Sequence, residues 1–327
     1  MEGTRRDWSL EGSMDKSNGF ANSLGGLLGM RLKSLTVECP KCGFPGLATT
    51  TWVKGRKTKP LSIFHKGADK VINECKIGEK DAENIRGRVA LSRGDLRKLL
   101  RRMKTLVLFS GGADSLCTLL YLLDVADGDG ANLTAVHVDT TAGFPEVTRY
   151  VRRICKQIGI PLEIVRAKRE YFELAKRWGI PSFNARWCCK ELKVKPVRDF
   201  LKSVPEPKMV VDGIRAVESN QRSTYLPVWY HPEFRCISVS PLLDWSDEDV
   251  MSRIETSGLP ESPAKCLGCS AECWCGAYKT RADFEKLLEI HPEIFDKLVE
   301  VEKAQRGRFT FIYENGNQVP LESLKKG

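Results

Sequence analysis

At 327 residues the chain is long enough for one large domain and a smaller module. Its 42% apolar and 29% charged residues are those of a globular protein, and no apolar run reaches the length of a membrane span. The first thirty residues lack a continuous apolar core, so they do not read as a secretory signal.

The formal net charge of +10 is unevenly placed. Residues 1–104 carry 22 Lys/Arg against 11 Asp/Glu, and residues 105–327 carry 30 against 31. Arg86, Arg88, Arg93, Arg97, Lys98, Arg101, Arg102 and Lys104 form the densest basic run. Such one-sided charge suits RNA or DNA bound through residues 35–104, although a solvated helix face gives the same run. Twelve cysteines without an export signal point to the reducing cytoplasm, where clustered thiols hold metal more often than they form disulfides.

In chain order, residues 1–34 are rich in Gly, Ser and Asn and predict a flexible tail. Residues 35–80 predict a small β-rich module opened by the knuckle Cys39-Pro40-Lys41-Cys42-Gly43. A knuckle supplies two metal ligands, and His65 and Cys75 are the candidates to complete a zinc tetrad. An unmetallated cysteine pair in a turn is the plain alternative. Residues 81–104 predict a basic helical connector.

Residues 105–262 then alternate strand and helix. Strands are expected at 106–109, 131–138, 162–165 and 209–211, with helices at 116–126, 146–158, 169–178 and 246–257. This alternation predicts an α/β fold, a doubly wound parallel sheet with ligands at the carboxyl ends of its strands. His137 falls inside a strand pattern and is expected to be a hydrogen-bonded core residue. Cys117, Cys155 and Cys236 are expected to be small buried hydrophobes. Residues 263–327 form a cysteine-rich, helical C-terminal region, with a long helix over 281–304 and a strand over 308–315 entering a turn at Asn315-Gly316.

The most informative stretch is Ser110-Gly111-Gly112-Ala113-Asp114-Ser115, directly after the first strand. A strand turning into a helix through two glycines leaves amide donors at a helix N-terminus, where the helix dipole favours an anion. Ser110 and Ser115 add hydroxyls, while the spacing is not that of a Walker A loop. The stretch resembles the SGGxDS pyrophosphate loop of the adenine-nucleotide α-hydrolase superfamily.

A second constellation is Cys188-Cys189 with Cys266-Leu267-Gly268-Cys269, four soft ligands suited to an iron–sulfur cluster or zinc. Together with the loop it resembles the phosphoadenosine phosphosulfate reductase family, and in its cysteines the adenylylsulfate-reducing branch that carries a 4Fe–4S cluster. The resemblance spans roughly 104–276. Asp139-Thr140-Thr141-Ala142-Gly143-Phe144-Pro145-Glu146 is similar to the family's DTGxxFPET segment, which implies Asp139 near the nucleoside. Lys193-Val194-Lys195-Pro196 is similar to its basic R/K-V-x-P stretch. Gly213-Ile214-Arg215 through Glu218-Ser219 and Arg222 resembles its G-x-R-x-x-E-S-x-x-R element, which implies Lys193, Arg215 and Arg222 near sulfate and phosphate oxygens.

Three departures bear on activity. The family's C-terminal cysteine tail is missing, since no cysteine follows Cys275. Cys273 and Cys275 are then the candidate nucleophiles, their thiolates favoured by Lys265, Lys279 or Arg281. They are alternatively cluster ligands, because Cys266, Cys269 and Cys275 give the C-x-x-C-x5-C spacing of relatives that thiolate nucleic acids. The loop is intact, which suits ATP. The basic N-terminal part is not required by a small sulfonucleotide. Two readings follow: thiol-dependent reduction of phosphoadenylyl sulfate (PAPS) or adenylyl sulfate (APS) to sulfite, narrowly preferred, or ATP-dependent thiolation of tRNA or DNA.

Overall fold

The computed structural model describes residues 18–51, 59–67, 71–127, 132–266, 273–307 and 309–326. Four strands come first: β1 (Thr36–Glu38), β2 (Pro45–Thr51), β3 (Leu61–Lys66) and β4 (Ile72–Lys76), preceded by α1 (Asn18–Leu28). Two short helices, α2 (Glu79–Arg86) and α3 (Arg93–Arg102), lead into an alternating α/β run. That run is β5 (Lys104–Leu108), α4 (Ala113–Val125), β6 (Leu133–Asp139), α5 (Pro145–Ile158), β7 (Leu162–Arg166), α6 (Tyr171–Trp178), α7 (Lys195–Ser203) and β8 (Lys208–Val211). It continues through β9 (Val228–His231), β10 (Cys236–Val239), α8 (Asp247–Ser257), α9 (Pro263–Cys266), α10 (Arg281–Ile290), α11 (Pro292–Ala304), β11 (Ile312–Glu314) and β12 (Asn317–Val319).

The strands join one ten-stranded sheet in the order β4-β3-β2-β9-β10-β8-β5-β6-β7, with β1 beside β2. From β10 to β7 every pairing is parallel, as the alternation predicts. The chain runs outward from β5 through β6 to β7, then returns to place β8 on the other side of β5. That reversal makes a crevice at the carboxyl ends of β5 and β8, the usual ligand position in such a sheet. Alternation along β5 sends Leu106 to the face covered by α7, with Val197 and Leu201, and Val107 into the core of the opposite face.

Several expectations change. The N-terminal β-module does not stand apart, because β2 pairs in parallel with β9 through Thr50↔Trp229 and Thr51↔Tyr230. Residues 18–34 are not a loose tail: α1 buries Leu24 and Leu27, and Met30, Leu32 and Leu35 follow them into the core. Composition hid this, because Gly, Ser and Asn outnumber the few leucines that face inward. Residues 1–17 lie outside the described residues. The connector is two helices split at 87–92, and the long C-terminal helix is interrupted at His291, since Pro292 cannot continue the helix. The last strand is shorter than expected and closes a hairpin with β12 around Asn315-Gly316. His137 is a core residue as expected, with Nδ1 2.9 Å from the Phe109 carbonyl and Nε2 3.1 Å from Thr148 Oγ1. Cys117, Cys155 and Cys236 are buried. Among the described residues no helix is long and apolar enough to cross a membrane.

Candidate active site and cysteine cluster

The loop after β5 takes the form its sequence demands. Gly111 has φ +91°, and a Cβ there would lie 2.7 Å from Val147 Cγ1, so only glycine lets α5 pack this closely. Gly112 caps α4 with extended backbone and offers no side-chain acceptor to the first amides of the helix. Ser110 Oγ and Ser115 Oγ lie 3.2 Å apart, and Ser115 also donates to the Gly112 carbonyl at 2.9 Å. The result is a hydroxyl-flanked helix N-terminus at the carboxyl edge of the sheet, suited to a phosphate group.

Asp114 and Arg215 meet beside this loop. Arg215 Nε donates to Asp114 Oδ1 at 2.7 Å, and a terminal nitrogen donates to Asp247 Oδ1 at 2.6 Å. The buried guanidinium is therefore engaged by two carboxylates instead of being turned toward a substrate anion, and it fixes the 213–218 segment against the first turn of α4. Burial raises the Asp114 carboxyl above the usual range, with Arg215 opposing that rise. Arg222 is likewise paired, with Glu218. Asp139 ends β6, accepts the Thr141 amide at 3.0 Å and pairs with Arg166.

Sequence reasoning missed Asp212, a carboxylate at the carboxyl end of β8. It accepts from Ser240 Oγ at 2.6 Å, Ser238 Oγ at 3.2 Å and the Ile214 amide at 3.2 Å, and burial raises its pKa. Nearby, Lys59 Nζ stands 2.9 Å from the Trp229 ring centre and 3.8 Å from that of Tyr225. Burial pushes the Lys59 amine down to about 7. No local signal marks Lys59, because its partners lie about 170 positions away.

The cysteines converge. Cys188 Sγ is 3.5 Å from Cys275 Sγ, and Cys275 Sγ is 3.6 Å from Cys273 Sγ. Cys189 opens a short π-helical segment, Cys189–Val194, which also carries Lys193. Lys193 is exposed, and its charge favours the Cys189 thiolate. The hydrogen bond between neighbours splits the pair, holding Cys189 below the ordinary thiol value and pushing Cys188 up to about 12. Cys275 is also pushed up to about 12, first by its hydrogen bond with Cys188 and then by burial. The rings of Tyr171, Phe172, Trp187 and Trp274 pack on one another beside this set. Cys269 and the side chain of Cys266 lie outside the described residues; the backbone of Cys266 ends α9.

Arg281, expected to activate Cys273 or Cys275, is committed elsewhere, to Glu285 and Glu314. Lys279 Nζ is buried without a hydrogen-bond partner, with Asp283 3.9 Å away. Cys275 is itself fully enclosed, whereas Cys273 is only partly buried. The Cys273–Cys275 segment is tied to the loop between β6 and α5. Cys273 bridges Gly143, the Trp274 amide donates to the Ala142 carbonyl at 2.9 Å, and Trp274 Nε1 donates to the Gly143 carbonyl at 3.2 Å. The Tyr171 hydroxyl donates to the Cys275 carbonyl at 2.7 Å. At the far edge of the sheet, Cys39, Cys42 and Cys75 gather within 4.8 Å of one another, with His65 beside them.

The model of the phosphoadenosine phosphosulfate reductase domain matches residues 104–266. The chain belongs to this family. The match covers β5 through α9, and so includes the Ser110–Ser115 loop, the Asp139 segment and Cys188-Cys189. Among relatives of this family member, an uncharacterized protein of Methanocaldococcus jannaschii is 29% identical over 198 residues, covering 60% of this chain and 46% of the relative. The adenosine 5'-phosphosulfate reductase of Lysinibacillus sphaericus is 27% identical over 148 residues, covering 44% of this chain and 62% of the relative. The phosphoadenylyl-sulfate reductase of Candida auris, solved as a phosphate complex, is 18% identical with a TM-score of 0.46, covering 61% of this chain and 97% of that one. The chain spans less than half the length of the Methanocaldococcus relatives it matches.

Proposed function

We propose that this family member reduces a sulfonucleotide, adenylyl sulfate or its 3'-phosphorylated form, to sulfite with electrons from a thiol donor. The observation that supports this reading is the bridge between Gly143 and Cys273, which sets the Cys273 backbone against the loop between β6 and α5. Backbone amides at the start of α4 and the hydroxyls of Ser110 and Ser115 receive the phosphate group. Lys193 supports the sulfonate oxygens.

Cys273 is the nucleophile in this reading. Its sulfur forms a bond to the sulfonate sulfur, the bond from that sulfur to the bridging phosphate oxygen breaks, and AMP or adenosine bisphosphate leaves with the electron pair. A donor thiolate then attacks the Cys273 sulfur of the thiosulfonate. Sulfite departs, a mixed disulfide forms, and a second donor thiol restores Cys273. Sulfur is reduced by two electrons and the two donor thiols are oxidised to a disulfide.

Four of the five thiols of Cys188, Cys189, Cys266, Cys269 and Cys275 would hold a 4Fe–4S cluster. The donor set fits: the buried Cys188 and Cys275 sulfurs lie 3.5 Å apart, and Cys189 adjoins Cys188 in the chain. A bound cluster would tune the electrostatics of the site. This assignment moves Cys275 from the nucleophile pair to the metal set, because an enclosed thiol in contact with Cys188 is poorly placed to attack a soluble substrate. The test is to trap the thiosulfonate. Brief anaerobic reaction without a thiol donor should leave one SO3 group on the Cys273 peptide by mass spectrometry. The modification appearing on another cysteine, or on none while sulfite is still produced, would refute the assignment.

A further inference from the structure

Cys39, Cys42, His65 and Cys75 belong to three separate elements of the N-terminal strands, yet the three sulfurs gather together and His65 Nε2 lies against two of them. Cys42 Sγ lies 3.3 Å from His65 Nε2, Cys75 Sγ lies 3.5 Å from the same nitrogen, and Cys75 Sγ lies 3.9 Å from Cys42 Sγ. Cys39, Cys42 and Cys75 offer three sulfurs that are all within 4.8 Å of one another. A tetrahedral zinc with Zn–S of about 2.3 Å and Zn–N of about 2.05 Å places its sulfurs about 3.8 Å apart and each sulfur about 3.5 Å from the nitrogen. The three separations among Cys42, Cys75 and His65 agree with those values to within about 0.3 Å, while the Cys39 sulfur lies within 4.8 Å of the other two sulfurs.

The backbone is arranged for thiolates as well. Cys39 and Cys42 sit on a tight turn in which the Gly43 amide donates to the Cys39 carbonyl at 2.8 Å and the Cys39 amide to the Phe44 carbonyl at 3.0 Å. Gly43 supplies the positive φ, +73°, that closes this turn. The amides of Lys41 and Cys42 point at the Cys39 sulfur. In the β3–β4 ladder Ile63 faces Cys75 and His65 faces Asn73, so His65 and Cys75 are diagonal neighbours on one face. Stacking on Phe44, with ring centres 5.6 Å apart, orients the imidazole. Its Nδ1 is buried without a hydrogen-bond partner, so ring packing alone sets the direction of Nε2.

We infer that these four residues bind one zinc ion as a Cys3His structural site that ties the knuckle before β2 to the outer edge of the ten-stranded sheet. A closed set of four protein ligands leaves no position for substrate, so the ion is structural. The site is separate from the Cys188–Cys275 cluster and independent of the reaction proposed for it.

The full chain, purified without added metal, should contain about one zinc per molecule, a count set by the single four-ligand site. Zinc-edge X-ray absorption on this unaltered protein should read three sulfurs and one nitrogen. Exchange with cobalt(II) should give the intense visible absorption of a tetrahedral thiolate site. Cys75→Ala and His65→Ala should each lower bound zinc to a small fraction, whereas Cys188→Ala should leave it unchanged. Zinc that survives both N-terminal substitutions, a first shell of oxygen and nitrogen only, or iron in place of zinc at these residues would overturn the assignment. The X-ray and cobalt measurements need no variant, so misfolding of Cys75→Ala does not blur the result.

Discussion

Cys188 and Cys275 stand 87 positions apart in the chain with their sulfurs 3.5 Å apart, which makes Cys275 a member of the same thiol set as the adjacent cysteine pair. In the proposed reaction the two C-terminal cysteines have different roles. Cys275→Ser should lower iron and acid-labile sulfide in anaerobically purified protein to well under half. Cys273→Ser should keep both while sulfite release falls by at least about a hundredfold, because a hydroxyl is a far poorer nucleophile near neutral pH. Iron retained in Cys275→Ser but lost in Cys273→Ser would reverse the two roles.

Two neighbouring glycines should fail in different ways. Gly111→Ala places a methyl 2.7 Å from Val147 at a positive φ, so it should cost about 2 kcal/mol or more of stability, read from urea midpoints. Gly112 has ordinary extended backbone, and its Cβ would meet only Ser110 Oγ, at 3.6 Å. Gly112→Val should therefore stay folded and lose nucleotide affinity, because its methyls occupy the space in front of the loop amides. A folded Gly112→Val protein with unchanged affinity would remove this loop from the phosphate site.

His231 supplies a pH dependence. It stacks on Phe234, with ring centres 3.9 Å apart, and burial together with Lys59 pushes its pKa down to about 3 from 6.5. The folded protein therefore binds fewer protons than the unfolded chain between those values. This contribution is fully present above pH 6.5 and is lost as the pH falls toward 3. Between pH 7 and pH 5 it amounts to about 1–2 kcal/mol. Urea denaturation should show the loss in the parent protein and a flatter profile in His231→Phe. Parallel profiles would mean that His231 titrates normally in the fold.

The basic run is partly spent inside the molecule. Arg93 and Arg97 donate to backbone carbonyls at the end of α4, Arg97 also pairs with Asp127, and Lys98 pairs with Asp95. Arg88, Arg101, Arg102 and Lys104 are exposed and remain candidates for phosphate contacts. If they bind nucleic acid, the full chain should retain tRNA or duplex DNA at low salt and release it as salt rises, and a double Arg101→Glu, Arg102→Glu variant should lose the retention. Equal, negligible binding by both proteins would make the run a solvated helix face. Removing residues 1–104 would not be a clean test, because β2 is hydrogen-bonded to β9.

The parallel core was legible because each of its strands is a short apolar run bounded by a turn, and the form of the Ser110–Ser115 loop because its glycines and serines are contiguous. The gathering of Cys39 and Cys42 was legible through the knuckle, whereas the approach of His65 and Cys75 depends on the β3–β4 register. What escaped was long-range. The burial of Arg215 between Asp114 and Asp247, the continuity of the N-terminal strands with the main sheet, and the convergence of Lys59 on Trp229 each join segments more than thirty residues apart. The break at Pro292 was visible in the sequence, but the apolar periodicity on both sides of it masks the stop.

The central claim is that this family member acts on a sulfonucleotide through a cysteine thiol. The most direct measurement is anaerobic turnover by the full chain, comparing adenylyl sulfate, its 3'-phosphorylated form and ATP in the presence of a dithiol donor. The account predicts stoichiometric sulfite with AMP or adenosine bisphosphate from one of the two sulfonucleotides, abolished in Cys273→Ser. Pyrophosphate from ATP that depends on added RNA or DNA, with no sulfite from either sulfonucleotide, would contradict it and identify a nucleic-acid thiolating enzyme instead.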